Sequence, residues 1–436
     1  MPGRAETIER QSIWLRFTRL LGLGHSWMAL LTPKAYSAYL LTLRFPGLQL
    51  VVVNEPEWVM RILVTSAGQY PKHPLMHETL MPLVGGSPFA TNGEHWRRER
   101  SRLNSALSNA RLSMVHPLMQ GGCQAMLDRL AGGDALQEVA VDSLMTAVTA
   151  DIILRAIFSQ ALPERQAQEI AADFERYQRW SQRVLVLRLL GLPSLGLHAW
   201  RKRIAKRIRG SLSECMSCHT GQTDLLAGLK EAYGPGHETA ILDQISMLFL
   251  AGHETSASAL AWAVYLLGQD QPLQQALRAE ADAILKSGEV IRADDCPLIS
   301  DFLREVLRLY PPVGYFPRQA LEDQEIRGVR VRKGAAILVS PWLMHRHNRW
   351  WSSPDEFDWQ RFDQVPLKGS YLPFGMGPRA CPGAAFAMQE SVLILVSLLH
   401  HYRIEPLADH IPQVVGRLTV RSANGIRVRL ARRRDV

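Results

Sequence analysis

Phe374-Gly375-Met376-Gly377-Pro378-Arg379-Ala380-Cys381-Pro382-Gly383 sets one cysteine on a glycine-rich loop. An apolar helical run, Ala384-Ala385-Phe386-Ala387-Met388 and onward, follows at once. A thiol in that position lies near backbone N–H groups and the positive end of a helix, both of which favour the thiolate. An iron-ligating sulfur needs the same surroundings: it must stay deprotonated yet be shielded enough to keep its electron density.

Two further stretches stand out upstream. The pattern from about Glu238 to Leu267 predicts one helix of roughly thirty residues, long enough at about 1.5 Å per residue to cross a small domain. Its centre reads Phe249-Leu250-Ala251-Gly252-His253-Glu254-Thr255-Ser256. A glycine in mid-helix costs about 1 kcal/mol against alanine. With an acid and an alcohol beside it, the stretch suggests a locally opened helix facing a small ligand. Thr255 would donate to a bound oxygen species and Glu254 would relay protons. The same residues also fit a kinked core helix with a solvated glutamate. In Asp301-Phe302-Leu303-Arg304-Glu305-Val306-Leu307-Arg308 the acid and the base share a helix face at i, i+3. Taken alone, this is an ordinary solvated pair of little energetic value.

The rest of the chain reads as mainly α with small sheets near its N-terminus and in its C-terminal half. Leu40–Phe45 and Leu48–Val53 are β-rich runs joined at Pro46-Gly47, a hairpin signal. Residues 70–95, with Pro71, Pro74, Pro82, Gly85, Gly86 and Pro88, read as a long irregular segment. Helical patterning dominates to Leu309, short strands return over Pro311–Val339, and Asn424-Gly425 signals a final hairpin. No composition shift marks a boundary, so residues 1–436 are expected to form one domain with an irregular arm at 1–30.

The chain has 436 residues, 47% of them apolar and 21% charged, with a formal charge of +9. That describes a globular protein with a large core and excludes a disordered one. Charges at Arg4, Glu6, Glu9, Arg10, Arg16 and Arg19 break up the N-terminal stretch, which therefore reads as neither leader nor anchor. The five cysteines are irregularly spaced, which favours free thiols in a reducing, cytoplasmic setting over a disulfide framework. Cys215-Met216-Ser217-Cys218-His219 imitates a covalent haem-attachment motif, but it lies in a basic polar helix and its thiols read as inert. His253-Glu254-Thr255-Ser256-Ala257 starts like a zinc protease helix and lacks the second histidine. Arg432-Arg433-Arg434 reads as a solvated tail rather than a nucleic-acid contact.

Taken together, these elements make the chain resemble the cytochrome P450 family, the haem-thiolate monooxygenases. The family's Phe-x-x-Gly-x-Arg-x-Cys-x-Gly loop is matched by Phe374, Gly377, Arg379, Cys381 and Gly383. Its Ala-Gly-x-(Asp/Glu)-Thr stretch is matched by Ala251, Gly252, Glu254 and Thr255. Its Glu-x-x-Arg pair is matched by Glu305 and Arg308, completed by Arg361, and its Trp-x-x-x-Arg helix by Trp96 and Arg100. The resemblance implies the cytochrome P450 fold and haem b, with Cys381 as proximal iron ligand and Phe374 and Gly383 beside it. Trp96, Arg100 and Arg379 would meet the propionates, with Arg318 and His345 as additions. Glu254 and Thr255 would deliver protons, and Glu305, Arg308 and Arg361 would form a structural network.

The implied reaction inserts one oxygen atom from O2 into a lipophilic small molecule, by hydroxylation or epoxidation. No fused reductase domain is expected. Electrons from NAD(P)H are therefore expected through an external reductase and a ferredoxin or flavodoxin, docking near Arg97, Arg98, Arg100 and Arg102. Candidate pocket residues are Met76, Leu80, Met81, Leu83, Phe89, Leu248, Ala251, Val313 and Phe316. The apolar run Val184–Leu197, flanked by basic residues from Arg176 to Arg209, suggests a lipophilic substrate and at most peripheral membrane contact. It fits a buried helix-packing segment with a solvated basic helix equally well. A monomer is expected. A peroxide-dependent peroxygenase of the same fold and a non-enzymatic haem sensor or carrier stand as alternatives; the first typically lacks the acid–alcohol pair.

Overall fold

Leu40–Phe45 (β1) and Leu48–Val53 (β2) pair antiparallel, with Leu40 opposite Val53 and Phe45 opposite Leu48. The computed structural model describes residues 26–45, 47–161, 164–189 and 195–433. The expected arm is therefore outside the described residues up to residue 25, as are Pro46, residues 190–194 of the apolar run and Arg434. In chain order there follow α1 (Pro56–Met60), α2 (Pro74–Val84), α3 (Gly93–Ala106), α4 (Asn109–Ala131), β3 (Leu136–Ala140), α5 (Val141–Phe158), α6 (Glu164–Leu189), α7 (Leu195–Ser217) and α8 (Leu225–Tyr233). Next come α9 (Glu238–Gln269), α10 (Gln271–Ser287), α11 (Pro297–Leu309), β4 (Phe316–Gln319), β5 (Gln324–Ile326), β6 (Val329–Val331), β7 (Ala336–Val339) and α12 (Pro341–Met344). The chain ends with α13 (Ala384–His401), β8 (Tyr402–Pro406), β9 (Val414–Gly416), β10 (Val420–Ser422) and β11 (Arg427–Arg432). The architecture is mainly helical with small sheets, as the sequence predicts.

The largest sheet has the order β1-β2-β7-β4, with β2 and β7 parallel. Both of its faces are covered, which is why β2 reads as a nearly continuous apolar run. Val51 and Val53 pack on Ile62, Leu63 and Ile337, while Leu50 and Val52 face Leu41, Trp342 and Leu343. The main core surrounds α9, which packs on α5, α8, α11 and α13. Among the described residues one helix, α13, is long and apolar enough to cross a membrane, and 56% of it is buried inside the protein.

Three sequence expectations change. Residues 70–95 are not irregular throughout: Pro74–Val84 is helical, started by proline at its first turn, where the missing N–H costs nothing. The long helix is not locally opened: α9 stays α-helical over all 32 residues. Gly252 is there because α5 passes so close that an added Cβ would sit 3.0 Å from Ile153 Cγ1. Asn424-Gly425 does not close a hairpin. β10 pairs with β9, and β11 pairs with β3 and β8, so the Asn-Gly corner carries the chain from one sheet to another.

Candidate active site

Cys381 is placed by backbone geometry. Its N–H donates to the Phe374 carbonyl at 2.8 Å, which closes the loop at the start of α13. Gly377 adopts φ +72°, and a side chain there would overlap the Leu63 carbonyl, so the loop lies flat against the segment after α1 and only glycine fits. Burial raises the Cys381 thiol pKa, with the Gly383 N–H and Arg100 pulling in the opposite direction.

Cys381 opens on a cavity of about 310 Å³. Trp96, Arg100, Arg318, Phe374, Arg379 and Gly383 line it, together with Gly252, Glu254 and Thr255 of α9. Among the expected pocket residues, Met76, Phe89, Leu248, Ala251, Val313 and Phe316 also line it. Leu80, Met81 and Leu83 do not. On the helical repeat of α2, Leu80 and Leu83 continue into the packed core and Met81 turns half out to solvent.

Four cations share the rim. Arg379 lies 4.2 Å from the Trp96 ring centroid and donates to Asn92 Oδ1 at 2.7 Å. Arg100 donates to the Ala380 carbonyl at 2.7 Å. Arg318 is buried, which lowers its pKa to about 10. The fourth, Lys72, was missed in the sequence. Its Nζ donates to the Phe89 carbonyl at 2.6 Å, and burial beside Arg379, Arg318 and Arg100 lowers its pKa well below the ordinary value. Its only signal was a lysine between prolines in Pro71-Lys72-His73-Pro74. Among the described residues, none of the four forms an ion pair with a carboxylate. Such a concentration of partly buried positive charge fits an anionic ligand carrying more than one carboxylate.

His345 is not part of this rim. It is fully buried, its Nδ1–H donates to the Arg308 carbonyl at 3.2 Å, and its Nε2 accepts from the Leu372 N–H at 2.7 Å. Burial and Arg308 lower its pKa to about 3, so it is neutral and both ring nitrogens are spent on the backbone.

The Glu305–Arg308 pair is buried rather than solvated. Two parallel bonds of 2.7 Å join them, and neither side chain is exposed. Arg308 also donates to the carbonyls of His345, Pro354 and Glu356, while Arg361 and the Asp358 N–H reach Glu305 at 3.4 and 3.0 Å. The network thus ties α11 to the irregular segment that precedes the cysteine loop.

On α9, Thr255 Oγ1 donates to the Ala251 carbonyl at 2.7 Å. Glu254 is buried; its Oε1 accepts from Thr419 Oγ1 at 2.6 Å and from Arg421 at 2.9 Å. Burial raises its pKa, opposed by Arg421 and Thr419. Neither partner was found in the sequence, since both lie more than 160 residues away on the β9–β10 hairpin.

Glu390 on α13 was also missed. It is fully buried, and neither carboxyl oxygen has a well-formed protein hydrogen bond. Ser256 favours its ionised form, but burial wins and raises its pKa from 4.5 to about 8. The folded chain therefore holds a proton that the unfolded chain releases, so Glu390 makes stability fall as pH rises from about 4.5 to about 8. Glu390→Gln is expected to remove this slope, its melting temperature gaining roughly 3–10 °C on the parent between pH 5 and pH 8. A difference that stays constant with pH, followed by circular dichroism, would show that Glu390 is not the group responsible.

The decoy motifs resolve into structure. His219 is held by buried Asp224 at 2.6 Å. His253 stacks on Phe249 at 4.5 Å between ring centroids. The basic stretch of α7 is only partly a free face: Arg201 is buried and donates to the Glu78 carbonyl, Arg207 pairs with Asp173 and Arg209 pairs with Asp243, while Lys202, Arg203 and Lys206 stay exposed. On α3, Arg102 turns inward to Glu99, while Arg97 and Arg98 stay exposed.

Comparison with known proteins agrees with this geometry. The Cytochrome P450 family model matches residues 17–426. Cyclooctatin synthase of Streptomyces melanosporofaciens is 31% identical over 81% of this chain and 80% of its own. Pentalenene oxygenase of Streptomyces avermitilis is 27% identical over 94% and 95%, and human cytochrome P450 4V2 is 26% identical over 86% and 79%. A glycine loop carrying Cys381, a rim of unneutralised cations and an acid–alcohol pair on the long helix thus coincide with a match along most of the sequence, and the chain belongs to the cytochrome P450 family, oxidoreductases of the monooxygenase type.

Proposed function

We propose that this enzyme binds haem b in the 310 Å³ cavity and hydroxylates or epoxidises a lipophilic small molecule, with electrons supplied singly by a separate ferredoxin or flavodoxin and its NAD(P)H-dependent reductase. The observation that carries this reading is the sharing of one cavity by Cys381, four cations without carboxylate partners, and Glu254 with Thr255. Trp96, Lys72, Arg100, Arg318 and Arg379 would receive the propionates, and Cys381 Sγ the iron. Bound haem supplies the redox chemistry that activates dioxygen.

The chain's own residues bind, orient and deliver protons. Met76, Phe89, Leu248, Val313 and Phe316 give the cavity an apolar wall, which supports a substrate held by burial rather than by charge. Two relatives are named as an oxygenase of pentalenene and a synthase of cyclooctatin, which supports a small-molecule substrate here. Burial raises the pKa of the Glu254 carboxyl, which also meets Arg421 toward the solvent side, and this supports Glu254 as the group that relays a proton toward the Thr255 hydroxyl. Exposed Arg97 and Arg98 lie on the helix whose Arg100 touches the cysteine loop, which supports docking of an acidic electron donor there.

The test compares parent, Thr255→Ala and Glu254→Gln, driven either by dioxygen with reduced ferredoxin as electron donor or by hydrogen peroxide alone. Substrate oxidation driven by reduced ferredoxin is expected to fall by about 10²-fold in each variant, with haem content unchanged. Equal ferredoxin-driven turnover by parent and variants would overturn the proton-delivery reading, and parent turnover faster with peroxide than with dioxygen and reduced ferredoxin would favour the peroxygenase alternative.

A further inference from the structure

We infer that Thr419 and Arg421 of the β9–β10 hairpin are positioning residues for Glu254: they hold its carboxyl away from Thr255 and so set when it takes up and passes on a proton. The inference rests on the relay proposed above and deepens it. Thr255 gives its hydroxyl hydrogen to the Ala251 carbonyl, and among the described residues no hydrogen bond joins it to Glu254. Both contacts to the Glu254 carboxyl come instead from the hairpin.

The hairpin is well placed to do this because it is fixed on several sides. The Gly416 N–H donates to Ser26 Oγ at 3.0 Å, and the Trp27 indole N–H donates to the Arg417 carbonyl at 2.9 Å. The Val420 N–H donates to the Pro312 carbonyl at 2.9 Å. Ser258, one helical turn beyond Glu254 on α9, donates to the Val420 carbonyl. Strand geometry then sorts the side chains, since successive residues point to opposite faces. Val420 turns into the apolar cluster of Leu41, Trp342 and Leu343, while Thr419 and Arg421 turn together onto Glu254 Oε1, at 2.6 and 2.9 Å. An alcohol and a cation aimed at one oxygen favour the carboxylate, against the burial that favours the acid. Among the described residues Arg421 is the cation that meets Glu254. Glu175 of α6 disfavours ionisation, and neighbouring His253 is kept neutral by burial, its pKa lowered to about 4. Asp142 at the start of α5 shares the field of Arg421, with His410 also acting on it. Leu418 and Thr419 line the cavity of Cys381 as well, so the hold on the acid sits in the wall against which a bound molecule rests.

The test follows the Glu254 carboxyl by infrared spectroscopy of the ferric, haem-loaded protein, its band being the protonated-carboxyl stretch that Glu254→Gln removes. Arg421→Gln is expected to raise the pH at which this band is half developed by about 1 unit, because it removes the opposite charge. Thr419→Val should move it the same way and less, and Arg421→Lys should restore most of the parent value. Dioxygen consumption driven by reduced ferredoxin should show the same displacement in its pH profile, and no displacement when either change is made in the Glu254→Gln background. An unchanged infrared midpoint in both Arg421→Gln and Thr419→Val would overturn the inference, and so would a profile that shifts equally without Glu254. A shifted midpoint with an unshifted profile would uphold the hold on Glu254 and overturn the relay, so the two failures are distinguishable. The infrared measurement itself needs no haem and stands on the purified chain if none is taken up.

Discussion

Cys381→Ser is expected to fold, yet to lose the red-shifted Soret band of the reduced carbon monoxide complex and to reduce oxygenation to background. The loop that carries the residue is held by its backbone bond to Phe374 and by the packing of Gly377 on Leu63, and neither contact involves sulfur. Serine therefore changes the donor atom and little else. A serine hydroxyl does not ionise in the range open to a thiol, so the anionic donor that pushes electron density toward the iron disappears. Among the described residues no other cysteine lines the cavity. Cys123 and Cys296 are buried, with thiols pushed up to about 12 and about 11. Persistence of the thiolate band in the serine variant would therefore put the iron ligand at another cysteine and undo the site assignment.

Arg308→Met is expected to destabilise the chain by about 3–5 kcal/mol, the cost of breaking a buried ion pair from one side. The loss is larger than one contact, because Arg308 also satisfies the carbonyls of His345, Pro354 and Glu356. Glu305 would keep its partial pairing with Arg361, which bounds the effect. The melting temperature should fall by roughly 3–5 °C, with haem retention falling in parallel, because the network anchors the segment leading to the cysteine loop. Arg308→Lys should rescue little of this, since an ammonium cannot make the bidentate bond and reach three carbonyls at once. A lysine variant that melts with the parent would show that charge alone matters here.

Much of the site was legible because its chemistry is local in sequence. The cysteine loop, the Gly-x-Glu-Thr stretch and the Glu305–Arg308 spacing each lie within one turn or one loop, so residue types and separations carry their geometry. The errors have local causes as well. Residues 70–95 were dominated by their prolines, although proline at a first helical turn starts a helix, and the helical repeat of α2 then took Leu80, Met81 and Leu83 out of the pocket. His345 had a plausible position in the chain, but both ring nitrogens are committed to backbone.

By itself, the sequence determined the family, the mainly helical fold, the cysteine loop and the residue types of the proximal network, because those follow from short-range spacing and hydrophobic period. Only the tertiary structure decided that Lys72 joins Arg100, Arg318 and Arg379, and that Glu254 is held by Thr419 and Arg421. Each of these depends on elements that meet across more than a hundred residues of chain, where burial and charge are set by packing and no local pattern records the neighbour.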